Sequence, residues 1–350
     1  MTGRRTVTIT DISRRVGCSI STVSAALNGT SGVSPQLRRT ILRTAGELGY
    51  QPNESARRLR RRRPRLVGVS HVIGQSFHTD LLDGIYVAAR DAGYDVMLAA
   101  VTAHHGEDEC LKVLVENRCE AVVLIGSVAE PEKLATIAER VPVVAFSYEA
   151  QALGLDVVTS QDELGIDLLV DHVVGTGRRE VWYVDGRGAT QSRPRASAYR
   201  RALVRHGLAD RVRVLEGGSD EAAGIAAVRA MMEAGRLPQA LLAYNDDLAV
   251  GMLLELRRCG VAVPDRVALA GFDGTALAGV PGVELTTVRQ HAPAMARAAL
   301  ARIIGRLGAT PDAVAELVGD ATWETAERPN GVEIRVEPTL IPRQSTRPTR

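Results

Sequence analysis

The sequence predicts two kinds of structure in one chain: a small all-α helix-turn-helix headpiece and a larger α/β body of two parallel-sheet lobes. Between Val7 and Asn28, two short helical patterns meet at Gly17. From Leu66 onward, short β-branched runs alternate with longer amphipathic ones. Two short helices around a turn form a helix-turn-helix, whereas strand–helix alternation is typical of parallel sheets with covered faces. At 350 residues the chain is long enough for two or three domains.

Charge is distributed unevenly along the chain. Residues 1–65 contain 14 arginines and only three acidic residues, for a net charge of +11, and residues 66–350 carry a net charge of −9. A basic block on an acidic remainder indicates a segment that binds a polyanion such as nucleic acid.

The helices of the head follow from local signals. Thr8 can cap a first helix, and Gly17 supplies the backbone freedom for a tight turn. Ser19 can cap a second helix over residues 20–27, and Ser34-Pro35 opens a third, which stops at Gly49. Three short helices can enclose one small core.

The body is expected to contain strands at residues 66–70, 95–100, 121–125, 143–146, 181–184, 240–244 and 267–272. Helical patterns separate them at residues 80–92, 107–117, 163–174, 195–206, 220–234, 246–258 and 291–307. This number of strands indicates two α/β lobes, with a ligand cleft where the carboxyl ends of the strands meet.

The first 60 residues resemble a known family. The stretch VTITDISRRVGCSISTVSAALNG, followed by VSPQLRRTILRTAGELGYQPNESARRLR, is similar to the headpiece of the lactose/galactose repressor (LacI/GalR) family. In the body, DLLDGI, RASAYRRAL, AYNDDLAVG, VPDRVALAGFDG and LTTVRQ fall where motifs of that family fall. The resemblance implies a periplasmic-binding-protein-like body and weakens after about residue 308.

The resemblance implies that the second helix of the head enters the major groove of DNA. By position, three residues would face the bases: Ile20, Ser21 and Ala25. Five would bond phosphates: Thr8, Ser19, Thr22, Ser24 and Asn28. Many members carry arginine where this chain has Ala25, and alanine can only touch a thymine methyl. We therefore expect a weaker dependence on guanine at that base pair.

Residues 52–65 resemble the family's hinge helix and basic linker. Asn53 and Arg57 are expected to contact DNA in this segment, and Leu59 matches the leucine that opens a base step in the minor groove. Arg60–Arg63 would neutralise phosphates, although a solvated linker is an alternative interpretation of this run.

The resemblance also implies a cleft for a small polar effector, often a sugar or nucleoside. By position the candidates are Phe77, His78, Gln161, Arg195, Asn245 and Asp273. Arg193 is a second candidate beside Arg195. Each has an alternative: Asn245 and Asp273 can be helix or turn caps, and Arg195 can be an ordinary surface side chain.

The sequence offers little for catalysis or metal binding. No GxGxxG follows a strand, and neither GxxxxGK[ST] nor GxSxG occurs. The run His104–Cys110 is rich in metal-ligand types, but adjacent histidines do not share a helix face. We expect no cofactor, no metal and no enzyme activity. Scattered cysteines, an N-terminus without a signal-peptide pattern and the absence of a long apolar run favour a cytoplasmic, nucleoid-associated protein that does not contact membranes.

These observations predict a headpiece over residues 1–51, a hinge over 52–65, an effector-binding and dimerisation domain over 66–342 and a flexible tail over 343–350. Residues 309–331 are expected to be an insertion before a last strand over 331–340. The expected function is that of a homodimeric transcriptional regulator, a repressor at a near-palindromic operator. The alternatives are a solute-binding protein of a transport system and a sugar-modifying enzyme.

Overall fold

The computed structural model describes residues 7–27, 29–50, 64–148, 155–328 and 331–347. The chain divides into two compact units, Met1–Pro64 and Arg65–Arg350, which are called the head and the body below. No helix in these described ranges is long and apolar enough to cross a lipid bilayer.

The described part of the head contains three helices: α1 (Ile9–Val16), α2 (Ile20–Leu27) and α3 (Pro35–Glu47). At the start of α1 the backbone N–H of Thr8 donates to Asp11 Oδ2 over 2.9 Å, which completes a capping box. Gly17 ends α1 in the left-handed conformation, with φ of 76°. The buried core consists of Ile12, Val23, Ala26, Ile41 and Ala45. The predicted helix-turn-helix is confirmed.

The body alternates strands and helices along most of its length. In chain order its elements are β1 (Leu66–Val72), α4 (Ser76–Asp91), β2 (Asp95–Val101), α5 (Glu107–Glu116), β3 (Ala121–Ile125), α6 (Pro131–Ala138), β4 (Val143–Phe146), β5 (Asp156–Ser160), α7 (Asp162–Gly175), β6 (Val181–Val184), α8 (Ser192–Arg205), β7 (Val214–Leu215), α9 (Glu221–Glu233), β8 (Ala240–Ala243), α10 (Asp246–Arg258), β9 (Ala268–Ala270), β10 (Thr287–Arg289), α11 (Ala292–Arg306), α12 (Pro311–Val318), β11 (Glu324–Arg328), β12 (Gly331–Val336) and β13 (Thr339–Ile341). Short 3-10 turns lie at Ala209–Arg211 and Leu277–Gly279.

The first lobe is built on a sheet with strand order β11-β12-β5-β4-β3-β1-β2. All neighbouring strands are parallel except β11, which pairs antiparallel with β12. Helices α4 and α11 cover one face, and α5 and α6 cover the other. Because both faces are covered, the central strands are continuously apolar, as their sequence pattern indicates.

The second lobe has a parallel sheet of order β7-β6-β8-β9, with α7 and α8 on one face and α9 and α10 on the other. A small antiparallel pair, β10 and β13, completes it. Since α7 follows β5 and α11 follows β10, the chain crosses between the lobes near Gln161 and near His291. The two α/β lobes predicted from the alternating pattern are confirmed.

Two glycines allow α9 and α10 to approach closely. A Cβ atom at Gly251 would lie 2.1 Å from the backbone oxygen of Glu221, and one at Gly224 would lie 2.2 Å from that of Leu248. The crossing therefore fixes the position of α10 and, with it, the acidic residues at its N-terminus.

The prediction of a single last strand was wrong. Instead of one strand over residues 331–340, the structure has β12 in the sheet of the first lobe and β13 in the second lobe. Pro338 lies between them, and proline has no N–H to donate to a continuous ladder. Residues 311–318 and 324–328, within the expected insertion, form α12 and β11, and Leu317 of α12 is buried in the first-lobe core.

The prediction of a flexible tail is corrected for residues 343–347. Ser345 is 3% exposed, and its hydroxyl donates to the backbone oxygen of Leu269 over 2.6 Å. Thr346 is fully buried, with its hydroxyl 2.7 Å from that of Thr286 and 2.8 Å from His172 Nε2. These contacts hold the segment against the second lobe. Residues 348–350 lie outside the described residues.

Candidate functional site

The N-terminal end of α2 carries a polar, exposed surface. Ser19, Ile20 and Ser21 are exposed, and Ile20 retains 45% of its accessible surface. Ser19 Oγ accepts from the backbone N–H of Thr22 over 3.1 Å, and it lies 2.7 Å from Ser21 Oγ. A helix end of this kind presents N–H groups and hydroxyls that can bond phosphate oxygens, with an apolar side chain beside them.

The other predicted DNA-contacting residues divide into two groups. Thr8 is exposed, whereas Thr22, Ser24 and Ala25 are partly exposed on α2. The remaining predictions fall on residues outside the described ranges: Asn28, Asn53, Arg57, Leu59 and Arg60–Arg63. The hinge therefore stays a prediction.

A small cavity of about 30 Å³ lies between the two lobes of the body. Apolar side chains line one part of it, including Phe77, Leu81 and Phe146 of the first lobe. Polar groups line the rest: Gln75, Ser147, Thr190, Gln191, Arg195, Asp273 and Gln290. A cavity of this volume has room for only about one or two water molecules. Hydrogen bonds beside it, from Ser76 to Asp247 and from Gln191 to Ser147, join the two lobes.

Arg195 is held in place by groups of the second lobe. Its Nε donates to Asp162 Oδ2 and its Nη1 to the backbone oxygen of Tyr244, each over 2.8 Å. The guanidinium carbon lies 3.8 Å from the ring centroid of Phe272, and Nη1 is 3.8 Å from Asp273 Oδ1. Burial works to lower the pKa of Arg195, but the neighbouring carboxylates more than reverse this and raise it, so the side chain stays charged.

Asp273 and Gln290 form a buried polar pair beside Arg195. Gln290 Nε2 donates to Asp273 Oδ1 over 2.5 Å, while Gln290 Oε1 has no hydrogen-bond partner within the described residues. Asp273 has a φ of 123° and Gln191 a φ of 63°, both in the region that favours glycine. Strained backbone at a cavity wall is a feature of ligand sites, and the unpaired amide oxygen is ready to accept from a ligand hydroxyl.

Phe77 and His78, which the family resemblance suggests as ligand-contacting residues, lie in the first turn of α4 at the cavity wall. His78 Nδ1 lies 3.0 Å from the backbone oxygen of Val72. Burial lowers the pKa of His78, and the bond to Val72 opposes this effect. The imidazole is therefore neutral at neutral pH, and its bond to Val72 fixes the turn before α4.

Three predicted effector residues lie elsewhere. Asn245 caps α10, since Oδ1 accepts from the backbone N–H of Leu248 over 2.9 Å and Nδ2 donates to the backbone oxygen of Ser219 over 2.9 Å. It is not among the lining residues of the cavity, so the structure gives it the alternative role of a cap. Gln161 lines a separate cavity of about 560 Å³ beside β5 and β12, and Arg193 is exposed.

Sequence reasoning missed the groups that join the two lobes. Asp247 of α10 accepts from the backbone N–H of Ser76 over 2.9 Å and from its hydroxyl over 2.6 Å. Gln191 Nε2 donates to the backbone oxygen of Ser147 over 3.2 Å. The sequence carried one signal for Asp247, because the acidic pair after Asn245 stands at the carboxyl end of a buried strand.

Asp246, next to it, is fully buried and serves the loop after β9. Its Oδ2 accepts from the backbone N–H of Thr275 over 2.8 Å, and its Oδ1 accepts from the hydroxyl of Thr287 over 2.6 Å. Burial raises the pKa of Asp246 to about 6, although these hydrogen bonds oppose the shift. Burial also raises the pKa of Asp273 well above its ordinary value.

The run at His104–Cys110 has a local structural role in α5. His105, just before this helix, has its Nδ1 3.1 Å from Oε2 of Glu109 in the first turn. In the described ranges, no three or more histidine, cysteine or acidic side chains are grouped so that they could hold a metal ion.

Two family profiles match the chain. The profile described as "Bacterial regulatory proteins, lacI family" covers residues 8–53, and that described as "Periplasmic binding protein-like domain" covers residues 170–346. Together they span the helices of the head and most of the second lobe.

Curated relatives match over nearly the full length. The transcriptional regulator reg1 of Streptomyces lividans is 30% identical over 341 residues, which cover 89% of this chain and 94% of that protein. Catabolite control protein A of Priestia megaterium is 29% identical over 294 residues, covering 81% of this chain and 87% of that one.

Solved structures share the fold. A LacI transcriptional regulator from a Rhodococcus species is 32% identical, with a TM-score of 0.71, over 80% of this chain and 97% of that one. The lac repressor dimer, solved with its operator and the anti-inducer ONPF, has a TM-score of 0.77 over 98% of this chain and 99% of its own, at 20% identity. The second likeness concerns the fold alone.

Proposed function

This chain belongs to the lacI family of bacterial regulatory proteins, and we propose that it represses transcription at a near-palindromic operator under the control of a small effector. The observation that carries the proposal is the exposed N-terminal end of α2, with Ile20 and Ser21 free to meet base edges. The net charge of +11 over residues 1–65 supports it, because phosphate neutralisation supplies much of the affinity for DNA.

Two copies of the chain are proposed to act together, since a twofold dimer matches twofold DNA. The body exposes large apolar side chains that a partner copy would cover. In the first lobe these are Tyr86 and Val87 of α4 and Leu98 of β2, which are 40–45% exposed. In the second lobe Leu254 of α10 is 53% exposed.

The cavity between the lobes is proposed to bind the effector. Phe77 would contact an apolar face, while Arg195, Asp273 and Gln290 would bond hydroxyl groups. A ligand larger than the 30 Å³ now available must separate the lobes. Binding would thereby shift the balance between lobe arrangements and so change the affinity for DNA, with reciprocal coupling between the two ligands.

Operator binding tests the proposal directly. The full chain is incubated with random-sequence duplexes, and the bound DNA is selected, sequenced and checked by gel shift. We expect a site with two related half-sites and an affinity that falls steeply with salt. If the folded dimer selects no sequence at low salt, the regulator proposal is wrong.

Ala25 is expected to lower the protein's preference for guanine at one base pair in each half-site. Replacing it by arginine should add a preference for guanine of about 1–3 kcal/mol, because an arginine can bond guanine bidentately. The control is Ala25→Met, which adds length without hydrogen bonds. The measurement is the selection above, repeated for each variant. A strict guanine requirement already present in the unchanged chain, and lost only when residue 25 is altered, would contradict this.

The same experiment separates the alternatives. A solute-binding protein or a sugar-modifying enzyme would bind ligand without selecting DNA. We propose that the protein acts in the cytoplasm, where its operator is found, and that it has no catalytic activity. In support, the charged groups at the cavity are bonded to one another, as Arg195 is to Asp162 and Asp273 is to Gln290.

A further inference from the structure

The N-terminus of α4 is occupied by a carboxylate from the opposite lobe. Ser76 is the first residue of α4, and both its backbone N–H and its hydroxyl donate to Asp247, over 2.9 and 2.6 Å. Asp247 is 2% exposed, so solvent does not share this contact. The carboxylate thus takes the position at which a 16-residue helix offers its free N–H groups.

This position borders the cavity between the lobes. Gln75, Phe77 and His78 flank Ser76 in sequence, and all three line the cavity. The start of a helix is a ready binding position for an anionic group, because unpaired N–H groups and the helix dipole both favour negative charge. A phosphate or carboxylate group on an effector would therefore compete with Asp247 for the backbone N–H and the hydroxyl of Ser76.

The remaining positive charge at the cavity is also compensated. Within the described lining, Arg195 is the cationic side chain, and it is bonded to Asp162 and lies 3.8 Å from Asp273. Asp246 and Asp247 follow each other at the start of α10, and Asp80 stands one turn after Ser76 on α4. Asp273 is the carboxyl group among the described lining residues, and Asp247 lies beside that lining at Ser76. An anionic effector would therefore meet no uncompensated cation among the described lining residues.

We propose that Asp247 is a specificity-determining residue, which makes the cleft select an uncharged effector over its phosphorylated or carboxylated analogues. Its carboxylate occupies the anion-binding position at the N-terminus of α4, so an anionic group of an effector cannot bind there. It also joins α10 of the second lobe to α4 of the first, so the same contact contributes to closure. This inference rests on the proposed effector function of the cavity.

Inorganic phosphate is the first probe, because it needs no knowledge of the effector. The full chain is compared with Asp247→Ser, which frees the N–H of Ser76, and with Asp83→Asn, which removes an exposed charge from α4 and leaves that N–H bonded. By isothermal titration calorimetry we expect Asp247→Ser to bind phosphate at least about tenfold more tightly than the other two. Equal affinities in all three proteins would overturn the inference.

A second variant guards against loss of folding. Asp247→Asn keeps an oxygen that can accept from Ser76 and removes only the charge. It is expected to bind phosphate more tightly than the unchanged chain and less tightly than Asp247→Ser. If Asp247→Ser does not fold, phosphate affinity unchanged in Asp247→Asn counts against the inference.

The second probe is a panel of monosaccharides, each paired with its phosphate ester and assayed by thermal shift. For any pair in which a compound binds the unchanged chain, the uncharged member should bind more tightly. Tighter binding of an ester would overturn the inference. Operator selection decides the proposed function separately, since a chain that selects no DNA still yields the phosphate comparison.

Discussion

Replacing Arg195 by methionine is expected to lower the free energy of unfolding of the body by about 3–5 kcal/mol. The guanidinium lies within a buried group of carboxylates, bonded to Asp162 and 3.8 Å from Asp273. Both carboxylates are 5–7% exposed, so water cannot replace the lost cation. Breaking a buried pair by removing one partner leaves an uncompensated charge, which costs more than the pair contributes.

Arg193→Met is the matched control, because Arg193 lies two residues earlier on α8 and is exposed. It should change stability by less than about 0.5 kcal/mol. Urea denaturation followed by tryptophan fluorescence measures both, since Trp182 is buried in the second lobe. A loss below about 1 kcal/mol in Arg195→Met would mean that the two carboxylates find other compensation.

Arg195→Lys separates charge from geometry. Lysine keeps the cation but offers a compact ammonium, which cannot bond Asp162 and the backbone oxygen of Tyr244 from the two edges of one plane. We expect it to recover part of the stability that methionine loses. Ligand protection in the thermal-shift panel should remain weakened, since recognition of hydroxyls requires the guanidinium to stay in place.

The three described helices of the head could be predicted from sequence almost residue by residue, because their signals are local. The capping box at Thr8 and Asp11, the left-handed Gly17 and the cap at Ser34 each act within four residues of the chain. Such interactions form within a single turn of helix and do not depend on contacts with the rest of the protein. The same holds for the apolar stripe of each helix.

The alternating strands and helices of the body were predictable as a pattern, but not every strand was. Strand β5 begins with Asp156, which is wholly buried and therefore looks unlike a strand residue. Its charge is met by Arg302 and Arg306, whose nitrogen atoms lie 2.9–3.2 Å from its carboxylate although they are about 150 residues away. Sequence periodicity cannot reveal partners at that separation, which is why the strand was missed.

The candidate site was half predictable for the same reason. Residues at strand ends, such as Phe77, Arg195 and Asp273, could be placed at the cleft by topology and by the family resemblance. The bond between Asp247 and Ser76 joins residues 171 positions apart and depends on how far the lobes close. Asn245 is the opposite case. Topology alone would assign its side-chain amide to a ligand, but the amide oxygen accepts from the backbone N–H of Leu248 and caps α10.

The stability of the body should depend on pH through Asp246. Burial raises the pKa of Asp246 in the folded protein to about 6, from an ordinary value of 3.8. Between these values the folded state keeps a proton that the unfolded chain has lost, so stability falls as pH rises through this interval. A shift of this size corresponds to about 3 kcal/mol. Burial also raises the pKa of Asp273, so its carboxyl group contributes to the pH dependence of stability in the same direction.

Buried histidines work against this trend, since burial lowers the pKa values of His71 and His78 and favours the folded state as pH rises. The measured quantity is therefore a difference: the unfolding free energy of the unchanged chain minus that of Asp246→Asn, from urea titrations at pH 4, 5, 6 and 7. Histidine contributions cancel in it. We expect the difference to become less favourable to the unchanged chain by about 2 kcal/mol from pH 4 to pH 7, because the unfolded carboxyl group is already partly ionised at pH 4. A constant difference for Asp246→Asn would contradict the raised pKa of its carboxyl group in the folded protein.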